Sequence, residues 1–283
     1  MTYRPDLLET IVAATRRDLS DRTRSDPAAR GKGAARGHQP RGQVFIETLR
    51  ETGRCRVIAE CKRRSPSRGV IRKDYDPAAI ASSYADAGAA AISVLTERGF
   101  FDGALEHLAA VRREVSLPLL RKDFIIDRRQ LTDAAEAGAD AVLLIVAALD
   151  DRNLRDLTDA ASELGLATLT EVHDRRELDR ALDAGADIVG VNNRNLRTLE
   201  VDLDASRTLI EAIPEDVVAV AESGLRTATD LAGLRRAGYD AFLIGESLMQ
   251  EPDPGASLGS LLNETGEIPR GRRPAAARIQ ATA

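Results

Sequence analysis

Acidic and basic residues follow a short apolar segment near the start of the chain, in an order that could support acid–base chemistry. The stretch at 57–69 reads VIAECKRRSPSRG, and Glu60 and Lys62 come at the end of its apolar run. Alternate side chains of a strand point to the same face, so Ile58, Glu60 and Lys62 would share one face. An acid and a base aimed at one side predict a polar site at the end of this strand.

Further acids, bases and amides end later apolar segments in the same way. The candidate catalytic residues are Glu60, Lys62, Lys122, Glu171, Asn192, Glu222 and Ser223. Singly, a lysine or glutamate at a strand end is usually solvated or paired, and a Ser-Gly pair is usually a turn or a helix cap. Together, such groups are costly to bury unless they bind a ligand or pair closely. We therefore expect a polar site, with a structural ion-pair network as the alternative.

Eight apolar segments, each followed by a helical pattern, would position these residues. The segments are 56–61, 91–95, 118–121, 141–145, 167–170, 187–191, 217–221 and 240–244. Four helical patterns end in Ala-Gly, at Gly88, Gly138, Gly185 and Gly238, where glycine suits the left-handed conformation that ends many helices. This alternation predicts an α/β protein with a (β/α)8 barrel. The alternative, an open doubly wound sheet, is disfavoured because the first segment is not followed by a GxGxxG loop.

The last two segments end in small residues that could hold a phosphate. They are followed by SGL and GES, at 223–225 and 245–247. In a barrel of this class the active site lies at the C-terminal ends of the strands, and the loops after strands 7 and 8 commonly bind phosphate through backbone N–H groups at helix starts. Glu246 adds a negative charge there, so its side chain would have to point away from the anion.

The chain reads as a single domain over 1–283 with a barrel over 56–264. An N-terminal extension over 1–50 begins with an amphipathic helix at 5–20, and the Arg/Gly-rich stretch at 22–42 is expected to be flexible. A second flexible segment is expected at 265–283.

Composition limits the classes of partner and the compartment. The net charge of −5 makes nucleic acid an unlikely partner, and no apolar run approaches the ~20 residues that a membrane span needs. Cys55 and Cys61 are the only cysteines and lie too far apart in one strand for a disulfide, which favours a reducing, cytoplasmic setting.

Seven stretches together resemble one enzyme family. They are IAECKRRSPSRG (58–69), SVLTERGFFDG (93–103), LPLLRKDFIID (117–127), LTEVHD (169–174), GVNNRNLRTLEVD (190–202), VAESGL (220–225) and FLIGESLM (242–249). In this order and spacing the chain resembles the indole-3-glycerol phosphate synthases of tryptophan biosynthesis. The resemblance implies a phosphorylated small-molecule substrate, 1-(2-carboxyphenylamino)-1-deoxyribulose 5-phosphate, which undergoes ring closure, decarboxylation and dehydration without a metal or organic cofactor. Loose association with other enzymes of the pathway is a further expectation.

The resemblance also implies a role for each site residue. Lys122 would be the general acid, Glu171 the base, and Glu60 and Lys62 their electrostatic and proton-transfer partners. The residues expected to orient the substrate are Asn192, Glu222 and Ser223; those expected around its aryl ring and carboxylate are Ser65, Phe101, Phe124, Arg194, Leu196 and Leu243; and those expected at the phosphate are Lys62, Ser67, Gly224, Gly245 and Glu246. His38, His107 and His173 match no catalytic position and are expected to be structural or solvated.

Three other functions are consistent with parts of the pattern. Lys122 could form a Schiff base, as in aldolases. Phosphoribosylanthranilate isomerase has the same fold but would need a cysteine base, and strand parity turns Cys61 outward. A non-catalytic barrel that binds a phosphorylated metabolite would need the phosphate site but not the pair of Lys122 and Glu171.

Overall fold

Eight parallel strands form a closed barrel. A computed structural model of the chain describes residues 6–25, 38–195 and 198–273. The strands are β1 Arg56–Cys61, β2 Ala91–Leu95, β3 Leu119–Lys122, β4 Ala141–Ile145, β5 Ala167–Val172, β6 Ile188–Asn192, β7 Val218–Glu222 and β8 Ala241–Ile244. Strand β1 pairs with β2 on one side and with β8 on the other. The predicted (β/α)8 barrel is confirmed, and the open sheet is excluded because β1 and β8 close the ring.

Helices surround the barrel and cover its ends. They are α1 Leu7–Ser25, α2 Gly42–Arg50, α3 Pro77–Asp86, α4 Leu105–Glu114, α5 Arg128–Ala137, α6 Asp151–Glu163, α7 Arg175–Asp183, α8 Asp204–Leu209, α9 Ala228–Ala237, α10 Glu246–Gln250 and α11 Pro254–Thr265. Side chains cap several N-termini: Asp150 accepts from the backbone N–H of Asn153, and Asp174 from that of Glu177. Such caps satisfy N–H groups that the first turn of a helix leaves free. Among the described residues, none of these helices is long and apolar enough to span a membrane.

The apolar residues form two clusters, one on each side of the barrel wall. Ile58, Leu120 and Leu169 point into the barrel, while Val57 and Val189 point outward against the helices. The alternation follows from the period of two along a strand. Because both faces are buried, the strands read in the sequence as continuous apolar runs.

The two N-terminal helices close opposite ends of the barrel. Phe45 and Leu49 of α2 are fully buried in the interior cluster, and the backbone of Gly42 donates a hydrogen bond to the carbonyl of Gly165, just before β5. A side chain at Gly42 would overlap the backbone there, so only glycine allows this approach. Helix α1 instead contributes Leu8 and Ile11 to the same interior cluster from the C-terminal end of the strands.

The segments next to both termini differ in part from the expected flexible stretches. Helix α1 continues to Ser25, and within 38–42 the backbone N–H of Arg41 donates to the buried carboxylate of Asp140 at 2.9 Å. Residues 26–37 of the expected stretch lie outside the described residues. At the other end, Arg273 is 6% exposed, because its guanidinium pairs with Asp240 at 3.1 Å and donates to the carbonyl of Val217, just before β7. Residues 274–283 lie outside the described residues.

Candidate active site

A cavity of about 550 Å³ opens at the C-terminal ends of the strands. Acidic, basic and amide side chains from the strand ends line one part of it, and apolar side chains from α1 and the loops line another. All of the predicted catalytic residues line this cavity: Glu60, Lys62, Lys122, Glu171, Asn192, Glu222 and Ser223. The barrel therefore brings together residues that are up to 163 positions apart in the sequence, from 60 to 223.

Lys122, the last residue of β3, lies between two buried carboxylates. Its Nζ donates to Oε2 of Glu171 at 3.0 Å and lies 3.3 Å from Oε2 of Glu222. Burial alone would lower the pKa of Lys122, but the carboxylates of Glu171, Glu222 and Glu60 outweigh it and raise that pKa above its usual range. Lys122 is therefore an ammonium group at neutral pH.

Buried side chains of the neighbouring segment fix the direction of Lys122. Arg121 points to the other face of β3 and pairs with Asp123 at 2.7 Å. Asp123 also accepts from Thr96 at 2.5 Å and from the backbone N–H of Phe124 at 2.8 Å. With the residues on either side held in this way, β3 presents Lys122 to the cavity.

The two glutamates beside Lys122 differ in protonation. Burial raises the pKa of Glu171, but Lys122, His173 and a hydrogen bond from Asn192 outweigh burial, so its pKa is lower than usual. For Glu222 burial wins over the attraction of Lys122, and its pKa rises to about 7. Near neutral pH the site thus contains one carboxylate that is fully ionised and one that can carry a proton.

Two glycines make room for inward-pointing glutamates. A side chain at Gly190 in β6 would overlap Oε1 of Glu222, and one at Gly245 after β8 would overlap the carboxylate of Glu60. In the space beside Gly245, Glu60 pairs with Lys62 at 2.8 Å. The motif sequences contain both glycines, but their function as space for a neighbouring strand's glutamate is visible only in three dimensions.

The predicted phosphate-binding residues all line the cavity. Ser223 and Gly224 have φ values of 65° and 79°, and both line the cavity with Gly245, Ser67 and Lys62. A left-handed conformation costs a non-glycine residue about 1 kcal/mol or more, so Ser223 is held there by its surroundings. Strained residues of this kind are concentrated at functional sites.

Phosphate binding at Glu246 would require its side chain to point away from the anion, and in the structure this side chain is held by two arginines. Glu246 is one of the residues that line the cavity, and its carboxylate pairs with Arg68 at 3.2 Å and with Arg194 at 3.4 Å. The two guanidinium groups compensate the charge that would otherwise repel an anion. Arg68 was not among the predicted site residues, although it lies within the motif at 58–69.

The other part of the cavity is apolar and suits an aromatic group. The rings of Phe101 and Phe124 are 6.1 Å apart, and Leu243 lies in the interior cluster below them. Glu97 accepts hydrogen bonds from the backbone N–H groups at 99–101, which folds the loop so that Phe101 faces the cavity. Ser65 lines the cavity beside Ser67, with their hydroxyls 3.3 Å apart. The predicted contact at Leu196 lies outside the described residues.

The sequence analysis assigned neither the residues of α1 nor any histidine to the site. Leu7, Leu8 and Ile11 line the cavity, and their amphipathic spacing was recognised as helical but not as part of a site. His173, expected to be structural or solvated, lies 3.6 Å from Glu171. Its position two residues after Glu171 was the available signal. Across the described residues, no group of three or more His, Cys, Asp or Glu side chains is arranged to hold a metal ion.

Two solved structures of low sequence identity share the fold. A 3-hexulose-6-phosphate synthase from Salmonella typhimurium superposes with a TM-score of 0.59 at 14% identity, covering 74% of this chain and 99% of that one. A thiamine phosphate pyrophosphorylase from Pyrococcus furiosus gives a TM-score of 0.59 at 17% identity, with coverages of 78% and 97%. At these identities the likeness supports the barrel architecture alone.

Much closer relatives share one name. The chain is 52% identical over 249 residues to the indole-3-glycerol phosphate synthase of Chlorobium luteolum, covering 88% of this chain and 93% of the relative. It is 48% identical over 255 residues to that of Koribacter versatilis, covering 90% and 98%. The family model described as "Indole-3-glycerol phosphate synthase" matches residues 8–261. The chain therefore belongs to the indole-3-glycerol phosphate synthase family.

Proposed function

We propose that Lys122 and Glu171 are the acid and the base of the indole-3-glycerol phosphate synthase reaction in this protein. The reaction converts 1-(2-carboxyphenylamino)-1-deoxyribulose 5-phosphate into indole-3-glycerol phosphate by ring closure, decarboxylation and dehydration. The observation that carries the assignment is the contact of one ammonium, Lys122, with two buried carboxylates at 3.0 and 3.3 Å. An acid and a base from different strands can approach the substrate together.

Lys122 acts in the ring closure. The ring carbon that bears the carboxylate attacks the ketone carbon, the carbonyl π pair moves to oxygen, and that oxygen takes a proton from Nζ. The raised pKa of Lys122 ensures that the proton is present. A fixed ammonium also stabilises the charge that develops on the oxygen.

Glu171 acts in the last step. After carbon dioxide leaves, the C–CO2 bond pair restores the aromatic ring. The hydroxyl group then leaves as water with a proton from an acid, while Glu171 removes a proton from the carbon next to the nitrogen. Its lowered pKa keeps it ionised and ready to accept this proton. The adjacent Nζ of Lys122, 3.0 Å away, can receive the proton back from Glu171.

The two parts of the cavity match the two ends of the substrate. Phe101, Phe124 and Leu243 would hold the aryl ring, with Ser65 at its edge and Arg194 at the carboxylate. The residues that would hold the phosphate are Lys62, Ser67, Gly224, Gly245 and the backbone of Glu246. Asn192, Glu222 and Ser223 would orient the sugar hydroxyls, and Glu60 would place Lys62 through their 2.8 Å contact.

Structural observations disfavour two of the alternative functions. A Schiff-base lysine must be a neutral amine, whereas three carboxylates keep Lys122 protonated. A cysteine base would need an accessible thiolate, but Cys61 is fully buried in the outer cluster and burial raises its pKa. The phosphate-binding alternative without catalysis requires no acid and base at the cavity.

The test separates the acid from the base by following two products at once. In Lys122→Ala we expect carbon dioxide release and indole formation to fall together, by about 10²-fold or more, because ring closure precedes both. In Glu171→Gln we expect carbon dioxide to be released faster than indole appears, because only dehydration needs the base. Equal loss of both products in Glu171→Gln, or near-normal rates in both variants, would contradict the assignment.

Two expectations about the setting of the protein belong to the proposal. We place it in the cytoplasm, where both cysteines would stay reduced, as their burial as free thiols favours. We also expect only loose association with other enzymes of tryptophan biosynthesis. Co-sedimentation with those enzymes at cellular concentrations would test the second point, and a stable stoichiometric complex would contradict it.

A further inference from the structure

We propose that His173 is a positioning residue for Glu171: it keeps this carboxylate ionised and links it to solvent through Glu177. The inference rests on the proposed role of Glu171 as the base. It assigns a function to a histidine that lines neither the phosphate-binding nor the aryl-binding part of the cavity.

The contact with Glu171 involves the oxygen that Lys122 leaves free. Nε2 of His173 lies 3.6 Å from Oε1 of Glu171, whereas Lys122 donates to Oε2. Nε2 is buried and has no hydrogen-bond partner within normal distance. A buried N–H without a partner is costly, and Oε1 of Glu171 is a charged acceptor only a few tenths of an ångström beyond hydrogen-bond reach. A small rotation of either side chain would close this bond.

The other nitrogen of the ring is held by Glu177. Nδ1 lies 3.0 Å from Oε2 of Glu177, and this oxygen also accepts the backbone N–H of His173 at 2.8 Å. Glu177 lies in the first turn of α7, which Asp174 caps. The orientation of the imidazole ring is therefore fixed by the start of a helix, as an outer carboxylate fixes a histidine in a catalytic triad.

The chain of groups runs from a buried carboxylate to a partly exposed one. The side chain of Glu171 is 1% exposed, while those of His173 and Glu177 are each 17% exposed. A proton can thus pass between solvent and the site along Glu177, His173 and Glu171. This path does not cross the cavity, so a bound substrate would not block it.

The charges around the ring favour its protonated form. Glu171 on β5, Glu177 on α7 and Glu222 on β7 act on it, and Lys122 on β3 pairs with Glu171. Burial lowers the pKa of His173, but the three glutamates outweigh burial and raise it above its usual value. The imidazolium in turn helps to keep Glu171 ionised.

The proposed reaction gives this path a purpose, because it consumes a proton. The ketone oxygen gains one proton and the leaving hydroxyl gains another, while the carbon next to the nitrogen loses one. Overall, the substrate with its carboxylate ionised takes up one proton and gives the product, carbon dioxide and water. The proton must enter from solvent in every turnover, and Lys122 and Glu171 line the cavity that the substrate would fill.

The first experiment measures the pKa of His173 by NMR in protein with labelled histidine, with its signal assigned from His173→Asn. We expect a pKa above the ordinary value of about 6.5, which falls in Glu177→Gln and also in Glu171→Gln. This measurement does not depend on activity. A pKa that does not respond to Glu171→Gln would overturn the proposed contact.

The second experiment compares single-turnover rates against pH. The protonated ring is the active form, so the wild-type rate should fall as pH rises through the pKa of His173. This falling limb should move to lower pH in Glu177→Gln and be absent in His173→Asn. In His173→Asn we expect the rate to fall about tenfold with KM changed less than twofold. This loss is smaller than the 10²–10⁴-fold, roughly, that acids and bases in direct contact with the substrate contribute. Controls are Glu163→Gln, which is exposed, and His107→Gln, which lies outside the cavity.

The outcomes separate this inference from the proposed function. If the limb stays at the same pH in both variants, or if only KM changes, His173 has no part in proton supply. Thermal midpoints identify a folding defect in His173→Asn, and Glu177→Gln then provides the test alone. If Glu171→Gln keeps its normal rate, the proposed function fails instead, whatever the variants of His173 do.

Discussion

At the residue scale, the site depends on space as much as on charge. Glu222 can approach Lys122 only because Gly190, on the neighbouring strand, has no side chain. Glu60 has the same relation to Gly245. A glycine in a strand often marks such a close approach, and here the approaching groups are the acids of the site.

Gly190→Ala should therefore impair turnover without unfolding the barrel. The added methyl group would push Glu222 away from Lys122, and we expect turnover to fall about tenfold or more, since acid–base groups contribute about 10²–10⁴-fold when positioned. Gly233→Ala is the matched control. Gly233 lies in helix α9, and the added methyl group would contact no other atom there. That variant should be as active as wild type and slightly more stable. Equal activity of both variants would show that the space at Gly190 is unimportant.

The protonation of Glu222 predicts a pH dependence of stability. Its pKa is about 7 in the folded protein, against about 4.3 for an unperturbed glutamate. The folded state holds the proton more tightly, so the free energy of unfolding should fall as pH rises from about 4.3 to 7, by about 4 kcal/mol at most. Denaturant unfolding of wild type and Glu222→Gln across this window measures it. The advantage of wild type over the variant should shrink as pH rises, and a constant difference would contradict the raised pKa.

At the element scale, each end of the barrel has its own helix. Helix α2 fills the N-terminal end with Phe45 and Leu49, whereas α1 covers the C-terminal end and lines the cavity with Leu8 and Ile11. The first is part of the folded core. The second also forms part of the wall against which a substrate would lie.

Ile11→Ala should thus weaken substrate binding more than it slows the chemistry. Ile11 is 2% exposed in the described structure, and its truncation would open the cavity to water beside the aryl-binding side chains. We expect KM to rise severalfold with a smaller change in turnover, as measured by steady-state kinetics. Arg17→Ala, on the exposed face of α1, is the control. A change in turnover alone, without a change in KM, would argue against a binding function for α1.

At the scale of the whole molecule, the two ends of the barrel divide function from stability. Far from the cavity, the fully buried Asp140 accepts from the backbone N–H of Leu119, from Arg112 at 3.0 Å and from Arg41 ahead of α2. One carboxylate thereby joins a strand, a helix and the N-terminal extension.

Asp140→Asn should destabilise the whole fold and leave the site intact. Removing one partner of a buried ion pair leaves the others unpaired, which costs about 3–5 kcal/mol. The free energy of unfolding, from denaturant titration, should fall by about this amount, while the turnover of the folded fraction stays at the wild-type value. A loss of turnover without a loss of stability would contradict the division.

Much of the molecule could be predicted from the sequence, because strands buried on both faces produce apolar runs that are easy to recognise. Predicted and observed bounds agree at β1, β2 and β4. Strand β5, predicted over 167–170, continues in the structure to Val172 and so includes Glu171. The strand-end acids and bases were found because they interrupt these runs.

The parts that could not be predicted depend on contacts between distant segments. Arg273 lies in a stretch whose composition suggested flexibility, yet it is buried because Asp240 and the carbonyl groups of Glu215 and Val217 accept hydrogen bonds from it. Glu246 lies at the cavity with its charge compensated by Arg68 and Arg194, which are 178 and 52 residues away. No local pattern in the sequence contains this information.

The measurement that tests the central claim most directly is the time course of indole fluorescence with 1-(2-carboxyphenylamino)-1-deoxyribulose 5-phosphate as substrate. The chain contains no Trp, so its own emission in this range is low. The account predicts a steady rise with wild-type protein and its loss in Lys122→Ala of unchanged thermal stability. An undiminished rise in Lys122→Ala, or no rise with wild type while the substrate still binds, would contradict it.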